Sequence, residues 1–301
     1  MSNRILFLTA LPEQVDPLVA AVRRLEPEVH CVSGFERIDD SALTTIDVVL
    51  GWRFPHGLAA RLKGLRWVCS MAAGVEKLLV PDLAAHVPVS RVVDPEQAVG
   101  MGQYAAAMVL RHVRGLARYE IQQRERDWTR APMAAAHHQV VVLGWGEVGR
   151  EIGRQMQALG FPVRGWRRDG TPLLEVLRSA EIVINTLPLT PATERLLDAA
   201  AFAAMARGAY LVNVARGGHV VEADLIAAVR SGHIAGAALD VQLHEPLPPD
   251  DPLWTVPGIT ITPHIASQPS HEKVAEQFVA GLHKLRAGAP LPNLIDRSRG
   301  Y

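Results

Sequence analysis

Val140-Val141-Val142-Leu143-Gly144-Trp145-Gly146-Glu147-Val148-Gly149 is the stretch that decides the fold of this 301-residue chain. Its first four residues are β-branched or aliphatic without a break, as in a strand buried on both faces of a parallel sheet. Its end opens a helix: Val148, Ile152, Met156 and Leu159 recur at helical spacing, and Gly160 stands where a left-handed C-terminal residue belongs. A Gly-x-Gly-x-x-Gly run carries meaning only between a strand and a helix, and both flanks are present. Gly144 then permits the tight turn, Gly146 lets backbone approach a pyrophosphate, and Gly149 lets helix and strand pack closely. The helix start offers N–H groups and a positive dipole end to phosphates. Gly144 to Gly149, with Trp145, Glu147 and Val148, thus reads as a dinucleotide-binding loop.

The end of the next strand selects the dinucleotide. It reads Gly165-Trp166-Arg167-Arg168-Asp169. An acidic residue about twenty positions past the loop would hold a ribose 2′-hydroxyl and repel a 2′-phosphate, whereas arginines clasp a phosphate with forked hydrogen bonds. Trp166, Arg167 and Arg168 therefore predict NADPH. NADH is the alternative, with Asp169 on the ribose.

Working outward, strand-like and helix-like segments alternate along the chain, the pattern of parallel sheets covered by helices. Before the loop, Ile5 to Thr9, Asp47 to Leu50 and Trp67 to Ser70 read as strands, Val89 to Val93 as an extended piece, and Val15 to Leu25 and Leu58 to Leu62 as helices. Tyr104, Met108, Val109, Val113, Leu116 and Ala117 predict one long helix from Ala98 to about Arg124. After the loop come strands at Glu181 to Asn185, Tyr210 to Val214, Gly236 to Leu239 and Gly258 to Ile261, then a helix from Ser270 to Arg286. The length exceeds what one dinucleotide domain needs, so two α/β domains are expected.

Composition removes other classes. Lys plus Arg and Asp plus Glu are 31 each, a formal net charge of zero without a basic run, which argues against nucleic acid. The apolar run Ile5 to Leu8 is too short for a signal peptide, and no stretch suits a membrane span, so a cytoplasmic protein is expected. Cys31 and Cys69 form no C-x-x-C, and the histidines, His137-His138 included, form no H-E-x-x-H, so no metal site is expected.

Three further segments carry chemistry: Asn213-Val214-Ala215-Arg216-Gly217, Leu243-His244-Glu245-Pro246 and Thr262-Pro263-His264. Reducing a 2-oxo acid needs a cation to hold its carboxylate, and Arg216 offers two parallel donors. The developing alkoxide needs a proton. His264 suits that role because imidazole titrates near neutral pH, and Glu245 would stabilise the imidazolium. Each residue alone has a structural reading, as helix-start arginine, loop carboxylate or satisfied histidine; their joint occurrence at sheet edges points to catalysis.

These segments resemble the D-isomer-specific 2-hydroxyacid dehydrogenases, most closely the glyoxylate/hydroxypyruvate reductase A subgroup. The likeness also rests on Leu187-Pro188-Leu189-Thr190, Leu239-Asp240-Val241, Glu245-Pro246-Leu247-Pro248 and the ending Asp296 to Tyr301. It implies two doubly wound parallel-sheet domains, a Rossmann dinucleotide-binding domain at 98–269 and a discontinuous flavodoxin-like substrate domain at 1–97 and 270–301, with the active site in the cleft between them. It implies cofactor contacts at Leu187, Pro188, Val214, Ala215, Arg216 and His264, with Asp240 accepting the nicotinamide amide unless it caps its strand. On the substrate side it implies the backbone N–H groups of Ala73 and Gly74, with Trp52 shrinking the pocket toward two- and three-carbon oxo acids and Arg53 adding charge, alongside Arg216 and His264. In the loop Ser70 to Glu76 the chain departs from the family with Ala72 for Gly and Glu76 for Asp. A homodimer is implied as well. The same scaffold also serves D-lactate, 2-ketogluconate and phosphoglycerate enzymes, and a non-catalytic dinucleotide sensor or corepressor is the alternative from another class.

Overall fold

The structure, a computed structural model, describes residues 3–8, 15–33, 39–132, 138–168, 170–178 and 180–297. Thr9, His137, Asp169 and the tail 298–301 lie outside the described residues. The chain divides into two units, Met1–Pro95 with Gln268–Tyr301, and Glu96–Ser267.

In the first unit, β1 (Arg4–Leu8), β2 (His30–Val32), β3 (Val48–Gly51), β4 (Trp67–Ser70) and β5 (Val89–Ser90) form a parallel sheet ordered β2-β1-β3-β4-β5. Successive strand residues face opposite sides. Ile5, Phe7, Val48, Leu50, Trp67 and Cys69 therefore enter one core, and Leu6, Leu8, Val49, Val68 and Val89 the other. Two buried faces are why these strands read as unbroken apolar runs. The first face is covered by helices Val15–Leu25 and His271–Arg286, through Leu18, Ala21 and Val22 on one and Val274, Phe278 and Leu282 on the other. Trp67 stacks on Phe278 with centroids 5.2 Å apart and donates its indole N–H to Ser90 Oγ at 2.9 Å. Gly281 makes room for that ring, since a Cβ there would lie 2.4 Å from Trp67 Cη2.

In the second unit, β6 (Val140–Leu143), β7 (Val163–Trp166), β8 (Ile182–Asn185), β9 (Ala209–Asn213), β10 (Ile234–Leu239) and β11 (Ile259–Ile261) form a parallel sheet ordered β7-β6-β8-β9-β10-β11. The same alternation sends Val141, Leu143, Val183, Leu211 and Leu239 to one core and Val140, Val142, Ile184, Val212 and Ala238 to the other. Strand order reverses between β6 and β8, and ligands of such sheets bind at the carboxyl ends of the strands beside that reversal.

One expectation is corrected. The single helix from Ala98 to Arg124 is two helices, Pro95–Val113 and Leu116–Glu125, because Gly115 adopts φ +64 and ends the first. Leu116, counted toward helical periodicity, is 46% exposed. Gly160 does take φ +88 at the end of helix Glu147–Ala158, with Ile152 and Met156 buried but Leu159 left exposed. Among the described residues no helix is long and apolar enough to cross a membrane.

Candidate active site

The glycine loop is shaped by steric exclusion. Gly144 sits at φ +95 against Thr186, whose hydroxyl donates to the carbonyls of Leu143 and Gly144 at 2.9 and 2.8 Å. A Cβ on Gly149 would lie 1.8 Å from Gly144 O, so helix Glu147–Ala158 can start this close to β6 only at glycine. Above Gly146 there is open space: a Cβ there would meet nothing within 4 Å. Open backbone at the start of a helix is what a pyrophosphate requires, so the loop fits a dinucleotide.

Trp145 packs away from this opening. Its ring fills the places where side chains at 165 and 153 would be: a Cβ on Gly165 would lie 2.0 Å from Trp145 Cδ2, and one on Gly153 2.4 Å from its Cη2. Only its carbonyl remains at the loop, accepting from Arg167 Nε and Nη2 at 3.3 and 3.0 Å. Trp166 is withdrawn too, 5% exposed, with its indole N–H on Thr171 O at 2.7 Å. The end of β7 thus presents Arg167 and Arg168, both exposed.

The loops after β8 and β9 are tied by buried amides. Asn185 Nδ2 donates to Asn213 Oδ1 at 3.0 Å; each carboxamide oxygen accepts a main-chain N–H two residues on, from Leu187 and Ala215 respectively, both at 3.2 Å. Leu187, Val214 and Ala215 are buried, so they offer backbone rather than side chains. The Arg216 carbonyl accepts from Asn213 Nδ2 at 3.1 Å and lies 3.1 Å from His219 Nδ1, while His219 Nε2 lies 3.3 Å from Pro188 O. His219 is fully buried and links the two loops. Sequence reasoning missed Asn185 and His219; the only signal for Asn185 was a polar residue ending an apolar strand, and His219, beyond the glycines after Arg216, gave none.

Gly217 joins this arrangement to the next loop. A Cβ on it would lie 1.9 Å from the carbonyl carbon of Gln242, so the Arg216 turn rests directly on the backbone leading to Glu245. Glu245 Oε1 accepts from Gln242 N at 3.2 Å, and Oε2 lies 3.2 Å from His264 Nδ1. Both members of this pair are largely shielded, with side chains 26% (His264) and 21% (Glu245) exposed. The structure thus brings together Glu245 and His264, and through Gly217 it sets the Arg216 turn on the same loop.

His264 occupies an unusual backbone position, φ +56. Histidine tolerates that region better than most residues, but it needs support from its surroundings. Asp240 provides it. Asp240 Oδ1 accepts from Thr262 Oγ1 at 2.6 Å and Ile265 N at 2.8 Å, Oδ2 from Ala266 N at 2.8 Å, and the Asp240 carbonyl from His264 N at 2.9 Å. Asp240 is 1% exposed, so its carboxylate holds the turn that carries His264, the strand-end role that the sequence left open for it. Tyr104 OH closes the network on Thr262 Oγ1 at 2.7 Å, and burial pushes that phenol up to about 12.

In the first unit, Ser70 Oγ donates to Gly74 O at 2.8 Å and accepts from Ala72 N at 3.1 Å, shaping the loop after β4. Among the described residues the N–H groups of Ala73 and Gly74 have no acceptor within this unit. Trp52 follows β3, its N–H on Leu8 O at 2.7 Å and Lys77 Nζ 5.8 Å from its ring centroid; Arg53 beside it is exposed. Lys77 was not foreseen, because a lysine directly after the Ser70 to Glu76 loop carries no pattern.

Comparison with known proteins gives the chain its relatives. Residues 106–266 match the family described as D-isomer specific 2-hydroxyacid dehydrogenase, NAD binding domain. The chain is 34% identical over 276 residues to glyoxylate/hydroxypyruvate reductase A of Yersinia enterocolitica, covering 85% of this chain and 88% of that one. Its fold is similar to that of a D-isomer specific 2-hydroxyacid dehydrogenase from Xanthobacter autotrophicus Py2 solved with NADPH and MES, at 36% identity, TM-score 0.87 and full coverage of both chains. It is similar too to an NADPH-dependent glyoxylate/hydroxypyruvate reductase from Sinorhizobium meliloti solved with NADP and sulfate, at 28% identity, TM-score 0.90 and full coverage of both.

Proposed function

Since this chain belongs to the D-isomer-specific 2-hydroxyacid dehydrogenase family, we propose that it reduces small 2-oxo acids with NADPH, glyoxylate to glycolate and hydroxypyruvate to D-glycerate. The observation that carries the reading is the His264–Glu245 pair, 3.2 Å apart, on a loop that also supports the Arg216 turn. When bound, NADPH supplies the hydride that reduces the carbonyl carbon of the 2-oxo acid.

The chain's own groups do the rest. The backbone of Gly144 to Gly149 receives the pyrophosphate, and Arg167 and Arg168 the 2′-phosphate. Arg216 holds the substrate carboxylate and polarises the carbonyl, with the N–H groups of Ala73 and Gly74 as further donors to that carboxylate. His264, oriented through Nδ1 by Glu245, gives its Nε2 proton to the alkoxide oxygen as the alcohol forms. Glu245 offsets the positive charge of the protonated ring before the transfer, and again when a solvent proton recharges the neutral ring and the cycle closes. Trp52, with Arg53, limits the pocket to short chains. A homodimer acting in the cytoplasm completes the proposal; Leu116, Tyr119, Ile121 and the 91%-exposed Trp128 are exposed apolar side chains on and just after helix Leu116–Glu125 that a second copy could cover.

The test is loss of reduced-nicotinamide absorbance with glyoxylate and hydroxypyruvate, each against NADPH and NADH. Fast oxidation of NADPH is expected, and His264→Gln should lower kcat by about a thousandfold while leaving NADPH affinity unchanged. Turnover confined to larger 2-oxo acids would reassign the substrate, an NADH preference would reassign the cofactor, and full activity in His264→Gln would remove the proton-donor role.

A further inference from the structure

The carbonyl of Trp145 is shared by two arginines. Arg167 reaches it from the end of β7 at 3.0 Å, and Arg150 reaches it from the first turn of helix Glu147–Ala158 at 3.3 Å. Helical side chains lean toward the N-terminus, which brings Arg150 back over the glycine loop. The oxygen they share is held in place by the wedged indole of Trp145. Two guanidinium groups thus face each other across one oxygen atom.

This arrangement is unfavourable taken alone. Like charges repel, and a cation in the first turn of a helix opposes the positive end of its dipole. Arg154, one turn further along the same helix, shows the ordinary solution: Glu151 takes it through two bonds of 2.7 and 2.8 Å. Among the described residues no carboxylate is paired with Arg150 or Arg167. Two cations gathered on a fixed acceptor, both exposed, make a fork for a doubly charged anion. The end of the second strand of such a sheet is where the adenosine ribose lies, and the pyrophosphate belongs instead to the backbone above Gly146.

We propose that Arg150 is a specificity-determining residue that joins Arg167 in gripping the 2′-phosphate of NADPH. The inference rests on the NADPH reading given above and adds a residue from outside the β7 end, where specificity is ordinarily sought.

The test is calorimetric binding of 2′,5′-ADP and of ADP, which lacks the 2′-phosphate, to the full chain and to Arg150→Met, which keeps most of the aliphatic stem and removes the charge. Wild type should prefer 2′,5′-ADP. Arg150→Met should weaken 2′,5′-ADP roughly tenfold and leave ADP unchanged, and the KM for NADPH should rise while that for NADH stays put. Equal weakening of both probes would place Arg150 on the adenosine 5′-phosphate that they share and overturn the inference, as would unchanged binding of 2′,5′-ADP. A wild type that binds ADP as well as 2′,5′-ADP would overturn the NADPH reading itself.

Discussion

The two units are built alike, parallel sheets with apolar residues on both faces, yet they hold their functional loops differently. In the second unit the loops after β8, β9 and β10 are fastened by side chains buried almost to zero exposure: Asn185, Asn213, His219, Asp240 and Gln242. In the first, the loop after β4 rests on Ser70, and the residues after β3, Trp52 and Arg53, lie at least partly open. A buried polar network is costly if any member is unsatisfied, so it marks positions that must not move. Proton transfer tolerates displacements well below an ångström; selecting a short acid tolerates more. On the proposed roles, the contrast separates proton transfer, on loops tied by several buried polar side chains, from substrate selection, on a loop held by the single buried Ser70 and on the more open Trp52 and Arg53.

The sharpest way to break the contrast is Gly217→Ala. The added Cβ would fall 1.9 Å from Gln242 backbone, so the Arg216 turn and the Glu245 loop must part. We expect kcat/KM to fall by about a hundredfold and stability by about 3 kcal/mol. Steady-state kinetics with a thermal melt checks this, and near-normal activity would show that the two loops are not mechanically joined.

Acid should separate the units next. His112, stacked on Tyr210 with centroids 4.1 Å apart, is driven down from 6.5 to about 4, first by burial and then by His138. Between those values the unfolded chain takes up a proton that the folded one refuses, so stability is full above pH 6.5 and is lost as pH falls toward 4. Partial exposure limits the loss to about 1–2 kcal/mol. In the first unit, Glu26 is held below its usual 4.5 by hydrogen bonds from Arg286 and His283, so its contribution is present above pH 4.5 and disappears only as pH falls through the lowered value. Hydrogen exchange followed from pH 7 to 4 should show the second unit loosening first, and His112→Phe should flatten that slope; simultaneous loosening in both proteins would refute the assignment.

The smallest effect belongs to the first unit. Ser70→Ala removes the bonds to Gly74 O and Ala72 N, worth about 1 kcal/mol, and should raise the KM for glyoxylate roughly fivefold with kcat unchanged. A drop in kcat instead would mean that this loop is as tightly coupled to the chemistry as those of the second unit.

The same division governs what could be read beforehand. Helix Val15–Leu25 and strand Trp67–Ser70 fall where periodicity put them, and the glycine loop lies between the strand and helix that its flanks required. These signals are local and repetitive. The break at Gly115 was hidden because apolar spacing continues through it, while a single backbone angle ends the helix. Glu245 and His264 were named together because the proposed chemistry demands those residue types, and the structure sets them 3.2 Å apart; Arg216 was named for the same reason. Asn185 and His219 were not, since each links loops distant in sequence and neither repeats, while for Asp240 the strand-end role was only one of two readings. Arg150 was hidden for a similar reason: nothing in its spacing tells that it shares an oxygen with Arg167.

Trp145 leaves a constraint on how this sequence can change. Its ring forbids any side chain at positions 153 and 165, so these three positions are not independent letters but one epistatic unit. A lineage that replaced Gly165 while keeping the indole would pass through a broken loop, whereas one that lost the indole first would open a void that later side chains could fill. Exchange of glycine loops between related enzymes should therefore succeed only when the residues under the ring travel with it.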